Sequence, residues 1–209
     1  MNPAIKIVLS IGTIGGVATA GGYSYHLSQL STISSLIEAD EEVTQLTSKS
    51  SEEDWKDAWK SYKETNNIWK LSDYSSENSP QSFKDECEKR GKQKVKGSNN
   101  AEFQNFKKLC SRNFTVSEWL KKSGLSLLEQ GSESTKWDAA WTKYKAEPKN
   151  KKDDSNPADT DVWGISDWSS KKSENTASDG FKTKCAAQSK VKIKNKEEEL
   201  YKQVSSWCV

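Results

Sequence analysis

The sequence predicts a mainly α-helical protein in which an N-terminal transmembrane or signal helix precedes two tandem small helical modules related by internal duplication. Three observations support this fold class: an apolar run near the N-terminus, aromatic residues at helical spacing, and a set of landmark residues that occurs twice in the same order. The predicted boundaries are residues 1–26 for the signal anchor or signal peptide, 27–112 for the first module and 113–209 for the second.

The composition predicts compact modules with small cores. Of the 209 residues, 33% are hydrophobic and 30% are charged, against a typical apolar share of about 45–50% counted with glycine. Nine Trp, six Tyr and five Phe nevertheless exceed what a disordered chain carries. The formal net charge is +2, and all of the 32 basic residues except Arg90 and Arg112 are lysines interspersed with acidic residues. Because no basic stripe results, the composition argues against nucleic acid as a partner.

The N-terminal segment predicts export. Residues 4–25 carry one charge, Lys6, and as a helix they would be about 33 Å long, enough for a hydrocarbon core of about 30 Å. One interpretation is a membrane anchor, and the other is a signal peptide that is cleaved near Ala20. Both place the modules outside the cell, whereas a buried helix of a cytosolic protein is the less favoured alternative.

The internal duplication rests on paired landmarks with matched spacing. In both copies 23 positions separate the two cysteines. An upstream match of residues 32–34 with residues 115–117 extends the repeat, and the largest difference is an insertion at residues 147–157, whose charge and prolines predict a solvated surface loop. The paired landmarks are Trp55, Trp59, Tyr62, Trp69, Asp73, Phe83, Cys87 and Cys110 in the first copy, and Trp137, Trp141, Tyr144, Trp163, Asp167, Phe181, Cys185 and Cys208 in the second.

Each module is predicted to be a three- or four-helix unit. In the first copy, Ser51 has the character of a helix cap, and Trp55, Trp59 and Tyr62 then fall on one helical face. Further helices are expected from residues 79–80 and from about residue 100, and residues 68–74 are expected to form a short strand or an ordered loop. The aromatic faces favour core packing. The alternative is an exposed aromatic platform for a glycan or a cation.

The four cysteines predict one disulfide in each module. Exported proteins retain disulfides, and the duplication selects the pairs Cys87–Cys110 and Cys185–Cys208. Closing a loop of this length stabilises a protein by about 3 kcal/mol in the chain-entropy model. Reduced thiols remain an alternative. A zinc site is less favoured, since the pairs lack C-x-x-C spacing and the chain contains a single histidine, His26.

The distribution of reactive side chains argues against an enzyme. His26 lies beside the N-terminal apolar run, so neither a Ser/His/Asp nor a Cys/His arrangement can form within the modules. The best candidates for paired catalytic carboxylates are the repeated Asp73 and Asp167. The favoured interpretation of each is a turn residue that caps backbone amides. We therefore predict no catalytic residue, no cofactor and no metal site.

The chain as a whole resembles a group of bacterial surface proteins. The opening Met1-Asn2-Pro3-Ala4, the Gly- and Ala-rich apolar run, the lysine bias and the Phe-Lys-x-x-Cys landmarks resemble the large paralogous families of uncharacterised proteins of haemotropic mycoplasmas. The resemblance implies surface exposure and antigenic variation on a wall-less bacterium that lives on red cells. It assigns a functional role to no residue.

Together these observations predict a membrane-anchored or exported surface protein that acts as a non-enzymatic antigen or host-contact protein. The expected partners are the membrane, through the N-terminal helix, and a component of the host surface. The alternative is a glycan- or small-ligand-binding protein that uses the repeated Trp/Tyr/Asp segments.

Overall fold

The computed structural model describes residues 30–154 and 156–209. This part of the chain is mainly helical, as predicted, with nine α-helices and four short strands. The predicted signal or anchor helix, residues 1–26, lies outside the described residues. Within the described residues, no helix combines the length and the hydropathy that crossing a membrane requires.

The N-terminal half, here residues 30–112, contains four helices. Two antiparallel strand pairs hold it together: β1 pairs with β3, and β2 pairs with β4, the strand that leads into the next half. Its elements are β1 (Ser31–Thr32), α1 (Ile33–Glu38), β2 (Val43–Gln45), α2 (Glu52–Lys63), α3 (Gln81–Gly91), β3 (Lys94–Val95), α4 (Ala101–Leu109) and β4 (Ser111–Asn113).

The C-terminal half, residues 113–209, contains five helices and a short 3-10 helix. An isolated antiparallel bridge joins Thr115 to Lys192. It corresponds to the pairing of Thr32 with Lys94 between β1 and β3 of the N-terminal half. The elements are α5 (Val116–Lys122), α6 (Ser134–Ala146), the 3-10 helix Pro148–Asn150, α7 (Trp168–Lys171), α8 (Asp179–Gln188) and α9 (Glu199–Trp207).

Capping side chains define where several helices begin. The Ser51 hydroxyl accepts a hydrogen bond from the Asp54 amide, and Asp54 accepts one from the Ser51 amide, which forms a capping box at α2. Thr115 and Glu118 form the same motif at α5. The predicted cap at Ser51 is therefore correct. Pro80 differs from the prediction, because it occupies the N-cap position and α3 begins one residue later.

None of the four observed strands was predicted. Residues 68–74, which were expected to form either a short strand or an ordered loop, form turns. Strands of two or three residues are too short to display the alternating pattern by which strands are recognised. Asn66, Asn67 and Lys70 all adopt positive φ angles in this region, which rules out regular extended structure there.

Two separate hydrophobic clusters form the cores, one from residues 33–110 and one from residues 116–208. Equivalent aromatic side chains lie at the centre of both. The ring centroids of Trp59 and Tyr62 are 5.3 Å apart, and those of Trp141 and Tyr144 are 5.8 Å apart, with nearly parallel planes in each pair. Each half therefore buries its own aromatic centre, as expected of small units whose apolar content is concentrated in large side chains.

Candidate functional site

Both predicted disulfides are present in the structure. Cys87 in α3 is bonded to Cys110 after α4, and Cys185 in α8 is bonded to Cys208 after α9. All four residues are fully buried against the aromatic clusters. Each bond therefore ties together the two helices that cover one core, and solvent reductants have no direct access to the sulfurs.

The tryptophans are core residues rather than an exposed platform. Trp69 is half-buried, and its ring lies 4.5 Å from the guanidinium of Arg90. The remaining eight are buried, with an exposed fraction of at most 7%: Trp55, Trp59, Trp119, Trp137, Trp141, Trp163, Trp168 and Trp207. The repeated indoles thus satisfy the core-packing interpretation, because a chain with few aliphatic residues has little else to fill its interior.

The repeated aspartates anchor the start of a helix in each half. Asp73 accepts a hydrogen bond from the Ser82 hydroxyl in the first turn of α3. Asp167 accepts one from the Ser178 hydroxyl at 2.9 Å and one from the Gly180 amide at 3.2 Å. Asp167 therefore caps a backbone amide, as the sequence favoured, whereas the Asp73 carboxylate contacts a serine hydroxyl instead.

A polar network around the central tyrosine was missed by sequence reasoning. The Tyr62 hydroxyl donates a hydrogen bond to Asn67 Oδ1 at 2.6 Å and accepts one from the Trp69 amide at 3.1 Å. Asn67 Oδ1 also accepts a hydrogen bond from the Leu71 amide at 2.7 Å. Burial raises the pKa of Tyr62, so its hydroxyl stays protonated and available as a donor.

The C-terminal half contains the corresponding network with a carboxylate in place of the amide. Tyr144 donates to Asp161, and the Trp163 amide donates to the Tyr144 hydroxyl at 3.1 Å. Asp161 also accepts from the Ile165 amide at 2.9 Å. Burial and then the adjacent Asp161 carboxylate raise the pKa of Tyr144 far above its ordinary value. The signal in the sequence was an Asn or Asp two residues before a repeated tryptophan, a position typical of Asx turns.

Most described residues of the insertion at residues 147–157 are exposed, as predicted for a surface loop, but one of them is buried. Its Asn150 is fully buried: the side-chain amide donates to the Tyr144 carbonyl at 2.9 Å, and its oxygen accepts from the Val162 amide at 2.7 Å. The Asn150 carbonyl accepts from the Ala158 amide at 2.9 Å. A buried amide is stable only when hydrogen-bonded, so this residue fastens the otherwise exposed insertion to the core.

The most extensive charged cluster lies between the two halves. Arg112 makes two 2.8 Å hydrogen bonds to the Glu118 carboxylate, and its Nε lies 3.3 Å from Asp54. Lys192 from the C-terminal half lies 2.6 Å from Asp54 and 3.1 Å from Asp57. One of the two arginines of the chain is thus used for the bidentate pairing that lysine cannot provide.

The charges of this cluster stabilise one another. Burial alone would raise the pKa of Asp54, but hydrogen bonds from Lys192 and Ser51 and the nearby positive charges hold that pKa below its usual value. Burial would likewise lower the pKa of Lys192, whereas Asp54 and Asp57 raise it. These opposite charges therefore join the two halves electrostatically.

An open surface cavity of about 430 Å³ is lined by residues of β2, α2 and α3, including Trp55 and Lys84, but Trp55 presents almost no area to it. Within the described part of the chain, no group of three or more His, Cys, Asp or Glu side chains is arranged to hold a metal ion.

No protein-family model matches the chain. No curated protein and no solved structure shows significant similarity to it.

Proposed function

We propose that the chain is an exported or membrane-anchored surface protein whose two disulfide-bonded modules bind another molecule rather than catalyse a reaction. The observation that carries the proposal is the pair of buried disulfides at equivalent places in the two halves. Structural disulfides form and persist in oxidising compartments, above all outside the cell. The hydrophobic segment of residues 4–25 supplies the route by which the modules leave the cell.

The internal duplication belongs to the same proposal. The Tyr62 network and the Tyr144 network use the same hydrogen bonds between corresponding residues. The Leu46 amide donates to the Cys110 carbonyl at 2.8 Å, and the Leu128 amide donates to the Cys208 carbonyl at 2.8 Å. Correspondence at the level of individual polar contacts supports descent of both modules from one ancestral unit, a frequent origin of extended binding surfaces.

Binding to a component of a host cell, as an antigen or contact protein, is the role that fits these features best. Many charged residues cover both modules, and the ionic cluster at Asp54 and Lys192 fixes their relative placement. The alternative is a glycan- or small-ligand-binding protein that uses the repeated Trp/Tyr/Asp segments. The burial of eight of the nine tryptophans favours the first role over this one.

Protease treatment of intact cells tests the proposed location. Cells that make the protein are exposed to trypsin, and peptides from residues 30–209 are quantified by mass spectrometry before and after permeabilisation. We expect rapid loss of these peptides from intact cells, while a cytosolic control protein persists. Protection until permeabilisation would contradict the proposal.

Alkylation of the same sample without reductant tests the disulfides independently. Intact mass spectrometry is expected to show an unmodified protein whose mass is lower by about four protons than that of the reduced chain. Four alkylated thiols would mean that the modules fold without cross-links, and the main support for an exported protein would be lost.

A further inference from the structure

The insertion at residues 147–157 surrounds a lysine of the C-terminal half. Lys145 lies in the last turn of α6 and lines an open cavity of about 360 Å³. Most of the other lining residues belong to the insertion, which has no counterpart in the N-terminal half. Lys63 stands at the corresponding position of α2, directly after the central tyrosine. The insertion therefore gives Lys145 surroundings that Lys63 does not have.

The Lys145 amine is held by a carbonyl and an aromatic ring. It donates a hydrogen bond to the Glu174 main-chain carbonyl, which also accepts one from Trp141 Nε1 at 3.0 Å. The amine lies 5.7 Å from the centroid of the Trp141 ring, and that ring is fully buried. Burial lowers the pKa of the Lys145 ammonium group, which increases the fraction of neutral amine. A neutral amine still donates the hydrogen bond to the carbonyl, so its position is kept.

The acidic side chains around this amine have other partners or form no ion pair with it. Asp153 of the insertion accepts hydrogen bonds from the Asn156 side-chain amide, and the Glu174 carboxylate pairs with a lysine of α7. Asp154 lines the cavity, but no ion pair joins it to Lys145 within the described residues. A half-buried amine that faces a cavity without a carboxylate partner has the character of a nucleophile.

Two further lysines give the cavity a place for a negatively charged group. Lys151 from the insertion and Lys172, which follows α7, line the same cavity as Lys145. Lys172 Nζ donates to the Ala158 carbonyl at 3.1 Å and lies 3.4 Å from Asp159, whereas Lys151 forms no ion pair in the described part of the chain. Lysine ammonium groups bind anions as point charges. The cavity therefore combines an amine that can react with cations that can hold an anionic substrate.

We propose that Lys145 reversibly binds aldehydes that carry an anionic group by forming an imine in this cavity. The neutral amine attacks the carbonyl carbon, a C–N bond forms, and the carbonyl oxygen leaves as water with the two hydrogens of the amine. Lys151 and Lys172 hold the anionic group. Hydrolysis reverses the step, so it needs neither an oxidant nor a reductant. This site belongs to the C-terminal half alone and goes beyond the proposed surface role.

Reductive trapping tests the inference on the full chain in detergent micelles. Purified protein is incubated near pH 7 with 4-formylbenzenesulfonate and sodium cyanoborohydride, which reduces each imine to a stable secondary amine. Peptide mass spectrometry then measures the labelled fraction of each lysine. We expect Lys145 to be labelled about tenfold faster than Lys63, its counterpart in the same molecule, as a shift of one pKa unit implies.

A neutral aldehyde and the pH dependence test the two parts of the inference separately. 4-Formylbenzamide resembles the sulfonate in size but carries no charge, so the ratio of Lys145 to Lys63 labelling should be about threefold lower with it. Labelling requires the neutral amine. Because burial lowers the pKa of Lys145, its labelling should reach a plateau at a lower pH in the folded chain than in the chain unfolded by urea.

Three variants locate the reaction. Lys145→Arg keeps the positive charge and removes the amine, so labelling at this position should be lost while labelling of Lys63 is unchanged. Lys151→Ala should lower the sulfonate ratio to that of the benzamide. Lys149→Ala is the matched control, because Lys149 is an exposed lysine of the same insertion that does not line the cavity. Urea unfolding of each variant verifies that it is folded.

Several outcomes would overturn the inference. These are labelling of Lys145 that does not exceed that of Lys63, equal ratios for the two aldehydes, or an unchanged ratio in Lys151→Ala. The same pH dependence in the folded and the unfolded chain would also overturn it, because the fold would then not activate the amine. The experiment uses purified protein, so its failure leaves the cell-surface location untouched.

Discussion

The two halves of the molecule have the same aromatic centre but cover it differently. In the N-terminal half, Arg90 lies over Trp69, which stays half-buried. In the C-terminal half, Trp207 packs edge-on against Trp163, with centroids 4.9 Å apart, and Trp163 is 7% exposed. The central packing is thus shared while the residues around it vary. Large buried rings tolerate little change, whereas the covering residues only need to exclude water.

Removing either disulfide should have the largest effect on this comparison. We expect Cys87→Ala with Cys110→Ala, and Cys185→Ala with Cys208→Ala, each to lower the free energy of unfolding by about 3 kcal/mol. The loops are of equal length, so the entropic contributions are equal. Urea unfolding followed by tryptophan fluorescence measures both. A clearly unequal loss would show that the halves differ in strain or in residual structure of the unfolded chain.

Removal of the central hydroxyl should distinguish the two tyrosine networks. Tyr144→Phe deletes a hydrogen bond to the Asp161 carboxylate and is expected to destabilise the protein by about 2 kcal/mol, whereas Tyr62→Phe deletes one to the neutral Asn67 and should cost about 1 kcal/mol. Thermal and urea unfolding give both values. Asp161→Asn serves as the control, because it should make the second network resemble the first. Equal losses for the two tyrosine variants would contradict the distinction.

Acid should weaken the ionic cluster between the two halves. The folded-state pKa of Asp54 lies below its unfolded value. Its ion pairs therefore stabilise the fold fully above the unfolded pKa of about 3.9, and this stabilisation is lost as the pH falls through the folded pKa. When the pH is lowered from 7 to 3, the free energy of unfolding should fall by about 1 kcal/mol less in Asp54→Asn than in the original chain, as measured by urea unfolding at both pH values.

Lys136→Gln provides the matched control for the acid experiment, since the corresponding position of the C-terminal half carries no carboxylate. The pH dependence of its unfolding should equal that of the original chain. An identical pH dependence in Asp54→Asn would show that the cluster contributes nothing measurable to stability.

The smallest effects are expected where the chain adopts a positive φ angle. Lys70 has φ +55°, and the corresponding Gly164 has φ +61° with no atom close to an added Cβ. Gly164→Lys should therefore cost about 1 kcal/mol through backbone strain alone, while Lys70→Gly should stabilise by about 0.5 kcal/mol after the entropy of the unfolded chain is included. Urea unfolding of Gly164→Lys and of Lys70→Gly shows whether the first lowers and the second raises the free energy of unfolding. Two changes of the same sign would mean that side-chain contacts dominate.

Local patterns made part of the fold predictable. The helix after Ser51, its buried face at Trp55 and Trp59, and the mainly helical character follow from capping and periodicity within a short stretch of sequence. Asn150 was assigned to a solvated loop, because composition alone gives no indication that one polar residue is buried and fully bonded. The short strands could not be predicted either, because each strand forms only by pairing with a segment that lies far away in the sequence.

The sequence by itself determined the helical class, the repeated order of aromatic landmarks and the pairing of cysteines with equal spacing. These properties depend on periodicity and on residue identity, which are local. The tertiary structure decided that eight tryptophans are buried, that Asn67 and Asp161 bind the central tyrosines, and that Lys192 and Arg112 join the halves through Asp54. Each of these depends on which distant groups come together and lose contact with water, and no local pattern encodes that.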